Sequence, residues 1–168
     1  MHLRRRLGPT TGRGVVASAL GCLLLTACSS GTIEIDEPDL SEADRAACEA
    51  LVEDLPDTVA GQPRRSVEPD DALGAAWGDP AYVLTCGVAA PGDYEPTAEC
   101  SVIAGVGWYV PDDQLTDLGE DATPIALSLT PLVEVEVPAR YRTAGIDRAL
   151  ADLAPVLQQH LGEGLDCL

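Results

Sequence analysis

Apolar residues along this chain follow three different rhythms, and each predicts a different kind of element. From Val15 to Ala27 they form a run with no charge, after a basic stretch of Arg4, Arg5, Arg6 and Arg13. From Ser41 onward they recur at helical spacing: Ala47, Cys48, Leu51, Val52 and Leu55 share one face, and Pro56 stops the helix. Ser41, with Asp44 three residues later, makes a capping box in which each side chain satisfies a free backbone amide. A last helix from about Thr143 to Leu161 carries a stripe of Ile146, Leu150, Leu153, Leu157 and Leu161, and Pro155 should kink it.

Between the helices the rhythm is that of strands. Tyr82, Leu84, Cys86 and Val88 fall on one side of an extended segment. Ser101 to Val110 reads as a hairpin turning at Ala104-Gly105. Ile125 to Leu129 and Leu132 to Val137 are the clearest strands; the second alternates valines toward a core with Glu134 and Glu136 toward water. Pro131 marks a bend, a bulge or an edge. The expected fold is α+β: a small antiparallel sheet of four to five strands flanked by an N-terminal and a C-terminal helix.

The uncharged run of 15–27 is too short to span a bilayer, which takes about 20 residues, and with its basic flank it reads as a signal peptide. It ends in Leu25-Thr26-Ala27-Cys28, which resembles the bacterial lipobox, where a small residue precedes the cysteine that receives lipid and becomes the mature N-terminus. A thiol, small neighbours and an apolar lead-in are what that chemistry needs. The expected organisation is a removed signal peptide at 1–27, a lipidated acidic tether at 28–40 and one α+β domain at 41–168. The tether should reach about 20 Å. The protein is expected on the outer face of the cytoplasmic membrane, held there by lipid on Cys28, with stable attachment needing more than one acyl chain. Three consecutive arginines leave the export route, general secretory or twin-arginine, open.

Cleavage removes four arginines and no acid, so six arginines face 28 acidic residues over the remaining 141, a formal charge of −22. There is no lysine. Such a field repels nucleic acid and anionic polymers, keeps an exported domain soluble, and favours a monomer. Phe is absent too, so the core must be built chiefly from Val, Leu, Ile and Ala.

With Cys22 in the leader and Cys28 lipidated, Cys48, Cys86, Cys100 and Cys167 remain, an even set that implies two disulfides outside the cytoplasm. Sequence alone leaves three connectivities open. No CxxC pair points to zinc or to thiol-disulfide chemistry.

Candidates for chemistry are few. His160 is the single histidine after cleavage and builds neither a triad nor a metal site. No Gly-x-Ser-x-Gly elbow or glycine-rich phosphate loop occurs. Asp112, Asp113, Asp117, Glu120 and Asp121 offer oxygen ligands without the spacing of a helix-loop-helix calcium site, so a solvated loop is the simpler reading. Asp79 and Asp112 are candidate acid and base if they converge in a cleft. Arg64 and Arg65 can receive an anionic group or a partner's carboxylates, or can pair within the chain. Trp77 and Trp108 are natural partner anchors if exposed, and core residues if buried.

Several motifs together resemble an uncharacterised family of actinobacterial exported proteins and lipoproteins, a domain of unknown function. They are Cys48 with Leu55-Pro56, Pro63-Arg64-Arg65, Ala76-Trp77-Gly78-Asp79-Pro80, Cys86-Gly87-Val88 and Gly105-Val106-Gly107-Trp108. The chain departs from the family at Leu129-Thr130-Pro131, where relatives tend to carry a glycine and a basic residue. The resemblance implies export, membrane association and a small α+β domain, and it favours pairing Cys48 with Cys86, both in shared motifs; Cys100 with Cys167 completes the set. It implies no activity. The expectation is therefore a binding or accessory module of the cell envelope with no cofactor, its partners the membrane and an envelope protein. The alternatives are an envelope enzyme using carboxylates or a calcium-dependent module.

Overall fold

The computed structural model describes residues 31–36, 38–92, 94–95 and 100–165. Along the chain run β1 (Ile33–Glu34), α1 (Glu42–Asp54), β2 (Thr58–Val59), β3 (Gln62–Arg65), β4 (Val67–Glu68), β5 (Gly74–Trp77), β6 (Tyr82–Cys86), β7 (Ser101–Ile103) and β8 (Val106–Tyr109). Then follow α2 (Asp112–Thr116), β9 (Ile125–Ala126), β10 (Leu129–Thr130), β11 (Val133–Glu136), α3 (Ala139–Arg142), α4 (Asp147–His160) and β12 (Gly162–Glu163). Eight strands form one antiparallel sheet in the order β2-β3-β5-β6-β11-β9-β8-β7. The mixed helix-and-sheet class stands, while the expected four or five strands become eight and the two helices four.

The sheet's inner face is set by alternation. Val133, Val135 and Val137 point inward beside Leu84 and Cys86 of β6, to which β11 is paired with Val135 opposite Leu84. Against that face lie α1, through Cys48, Leu51 and Leu55, and α4, through Leu150, Leu153 and Leu157. The helices also touch one another. Pro155 sits within α4 on its exposed side, while α3 is a separate turn divided from α4 by Gly145 at φ +88°.

Helix α1 keeps half of its expected capping box. Ser41 Oγ accepts the Asp44 amide at 3.2 Å, but Asp44 takes the Ser41 hydroxyl at 2.8 Å. An aspartate is one methylene shorter than the glutamate that usually reaches the cap amide. At the other end Arg64 donates to the carbonyls of Leu55 and Val52, at 3.0 and 3.3 Å. These carbonyls would otherwise lack a partner in the helix.

Two hairpins turn on paired left-handed residues, Ala60-Gly61 at φ 50° and 78° and Ala104-Gly105 at φ 50° and 85°. This turn matches the strands' own twist. The second hairpin follows from the sequence; the first, joining β2 to β3, was hidden among polar residues.

The acidic stretch expected to be a free tether is partly built into the fold. Ile33–Glu34 pairs in parallel with Val67–Glu68, Ile35 is only 3 % exposed, and Leu40 packs against the core. Thr32-Ile33-Glu34-Ile35-Asp36 is itself a two-residue alternation, short and flanked by acids, so its charge masks its pattern. Residues 1–30, Cys28 among them, lie outside the described residues.

Cys48 and Cys86 are joined, with Cα atoms 5.7 Å apart and both side chains fully buried. Cys100 is also disulfide-bonded; Cys167 lies outside the described residues. Replacing Cys48 and Cys86 together by alanine is expected to lower the unfolding free energy by about 2–4 kcal/mol, read from the midpoint of a urea titration.

Candidate functional site

The sheet's outer face carries a cleft of about 480 Å³. Alternation on β11 that sends three valines inward sends Glu134 and Glu136 outward, and Glu136 lines this cleft with Val83 of the neighbouring strand. Asp121 arrives because Ala122 bridges Val137 in antiparallel fashion, bonding both ways at 2.9 and 2.7 Å. Its Oδ1 accepts the Ala139 amide at 2.7 Å, at the start of α3. Glu34 of β1 and Arg140 also line the cleft. Three carboxylates from distant parts of the chain thus share one concavity with one guanidinium.

The carboxyls here bind protons more tightly than an ordinary glutamate. Burial raises the pKa of Glu134, and the charge of Glu136 adds to it. Burial likewise raises Glu136, with Asp121 adding a smaller push. Of the two, Glu136 lines the cleft, and a carboxyl so shifted in a cleft is suited to passing a proton. The sequence identified the alternation and turned both glutamates toward water; Glu136 is exposed there, while Glu134 is half-buried.

The acidic loop of 112–121 is organised in another way. Arg142, 5 % exposed, sends its guanidinium into the loop, where the carbonyls of Gln114, Asp117 and Glu120 accept from it. Three backbone oxygens of the loop are thus turned to an internal cation, while the carboxylates of Asp112, Asp113, Asp117 and Glu120, named as calcium ligands from the sequence, stay exposed. Among the described residues no group of three or more His, Cys, Asp or Glu side chains is disposed to hold a metal ion. Gln114 braces the same loop by accepting the Thr123 amide at 2.8 Å.

The other sequence candidates have structural places. Trp77 and Trp108 are fully buried, which removes both as surface anchors; Trp77 Nε1 donates to the Pro56 carbonyl at 2.8 Å, and Arg64 lies 6.0 Å over its ring. Arg65 bonds the carbonyls of Gly78 and Gly31 at 2.6 and 2.7 Å. Both arginines are thus engaged within the chain. Asp79 and Asp112 are exposed and neither lines the cleft, so the expected acid-base pair is not assembled from them. His160 Nε2 lies 2.8 Å from Asp54, linking the ends of α4 and α1.

The raised carboxyls give a definite pH dependence. Folding raises both glutamates above the unfolded value, so the folded state holds the extra protons. Their contribution is full below the ordinary glutamate range and is lost as pH rises through the raised values. Glu134→Gln, which cannot ionise, is therefore expected to raise Tm at pH 7 and to leave it nearly unchanged at pH 4, measured by calorimetry at both pH values.

No curated protein and no solved structure matches the chain. A family of proteins of unknown function does, over residues 14–164. The chain belongs to that family, DUF3515.

Proposed function

We propose that this protein is a lipid-anchored, extracytoplasmic binding or accessory module of the cell envelope. The observation that carries the reading is the fully buried Cys48–Cys86 disulfide in a chain that carries Leu25-Thr26-Ala27-Cys28 at the junction of leader and tether. Disulfides persist in oxidising compartments, the leader supplies an export route, and Cys28 just after it supplies a thiol for lipid. A binding role agrees with the described candidates: the two tryptophans and two of the arginines hold the fold together, and the carboxylates at the cleft have no nucleophile or histidine beside them on its walls.

A second reading has its own support. The raised Glu136 beside Asp121 in the cleft favours carboxylate chemistry at that place over the Asp79 and Asp112 suggested by sequence. It requires a substrate that brings a cationic or proton-accepting group to Glu136. The calcium-dependent reading has less behind it, because Arg142 engages the loop carbonyls.

Three measurements separate these readings. Cys28→Ala is expected to move the protein from the membrane fraction to the medium, and mass spectrometry of the native protein should find diacylglyceryl on Cys28; a Cys28→Ala protein still retained in the membrane would remove the anchor. Crosslinking from intact cells should capture one envelope protein reproducibly with the anchored form alone, and the loss of that capture in Glu136→Gln would place the contact at the cleft. Millimolar calcium is expected to leave Tm where magnesium leaves it; a calcium-specific rise would restore the third reading.

A further inference from the structure

Gly31 is the first described residue, and it is fastened to the fold. Its carbonyl accepts Arg65 Nη2 at 2.7 Å, while Nη1 of the same guanidinium bonds the Gly78 carbonyl at 2.6 Å. Two residues on, Ile33 donates to Ser66 at 3.2 Å and Ile35 to Glu68 at 2.9 Å. The Ile35 side chain then seals against β5 at Gly74, where a Cβ would stand 3.0 Å from Ile35 Cδ1 and 2.2 Å from the Leu84 carbonyl oxygen. Gly31 is therefore tied to the sheet ten residues ahead of the helix that the sequence marks as the start of the domain.

Only three residue steps separate Gly31 from Cys28, and a fully extended chain covers about 11 Å in that distance. The domain is wider than this. A folded domain of this length has a radius of gyration of about 14 Å, and β3 and β7 stand six strands apart in a sheet that curves around α4, which touches both β2 and β7. A leash shorter than the body it holds allows only one end of that body to reach the surface.

We propose that the end of the domain around Gly31, formed by Arg65 and the Gly78-Asp79-Pro80 turn with Arg140 beside it, rests on lipid headgroups. The far edge at β7 then points away. This rests on the reading that Cys28 carries lipid. Arg140 Nη1 lies 3.5 Å from the Asp79 carbonyl, so two of the six arginines left after cleavage border the end that meets the bilayer. With Glu34, Asp79, Asp121 and Glu136 at the same end, the two guanidiniums offset its acidity only in part, and it is the short leash that holds this end to the headgroup layer. Ile33 and Glu34 are wall residues of the carboxylate cleft, and Ile33 is at most about 7 Å along the chain from Gly31. The cleft is thereby brought beside the membrane, and what enters it arrives along the membrane surface.

The test uses the full lipidated protein, purified from membranes and reconstituted into vesicles of phosphatidylglycerol and phosphatidylcholine that carry a headgroup quencher. A small fluorophore is attached through an encoded alkyne amino acid at exposed Asp79 or at Val102, which is 71 % exposed on β7. The expected result is loss of most emission at Asp79 and none at Val102. A second variant, with about 20 Gly and Ser residues inserted after Ser30, has a root-mean-square reach of about 25 Å and should recover the Asp79 emission. Equal quenching at the two sites on floating vesicles overturns the orientation and leaves the anchor intact. An Asp79 signal that stays quenched with the long insert overturns the short leash as its cause. Protein that fails to float with the vesicles overturns the anchor itself, whatever the labels report.

Discussion

The core of this domain is held by a covalent link between its two layers. Cys48 sits on the buried face of α1 and Cys86 at the end of β6, one of the two central strands, so the bond joins helix to sheet where both are fully buried. Helix α1 in turn meets α4, and β6 pairs with both β5 and β11. A core with no phenylalanine and few large rings gathers its apolar area from many small contributions. The cross-link compensates by limiting the unfolded chain, and it fixes which face of α1 is presented to the valines of β11.

How much of this could be read from the sequence depended on how an element meets solvent. Strand β11 and helices α1 and α4 each bury one face, so their periods are visible, and Val133, Val135 and Leu150 stand where alternation and the helical stripe place them. Strand β5 could not be seen in the same way: Gly74, Ala75, Ala76 and Trp77 are all buried, because the helices cover one face and β1 with its flanking residues approaches the other. A strand covered on both sides has no alternation to show. The carboxylate cleft was hidden for a further reason. Glu136 could be assigned to the outer face from its neighbours, but its companion Asp121 comes from the far end of a loop and Glu34 from a segment whose charge made it look like a free tether.

The arginines share a common use. Arg64 caps a helix end, Arg65 ties Gly31 to Gly78, and Arg142 gathers three carbonyls of the acidic loop. In each case the guanidinium answers backbone oxygens, with several donors in a fixed fork serving more than one carbonyl at once. With so few cations, spending them on the backbone leaves the surface carboxylates to set the outward field.

The lengths of the sheet's outer strands carry a last consequence. Strand β2 has two residues and β7 three, and beyond each the backbone offers few free amides and carbonyls for another strand to join. Such truncated margins disfavour edge-to-edge growth of the sheet from one copy to the next into ribbons.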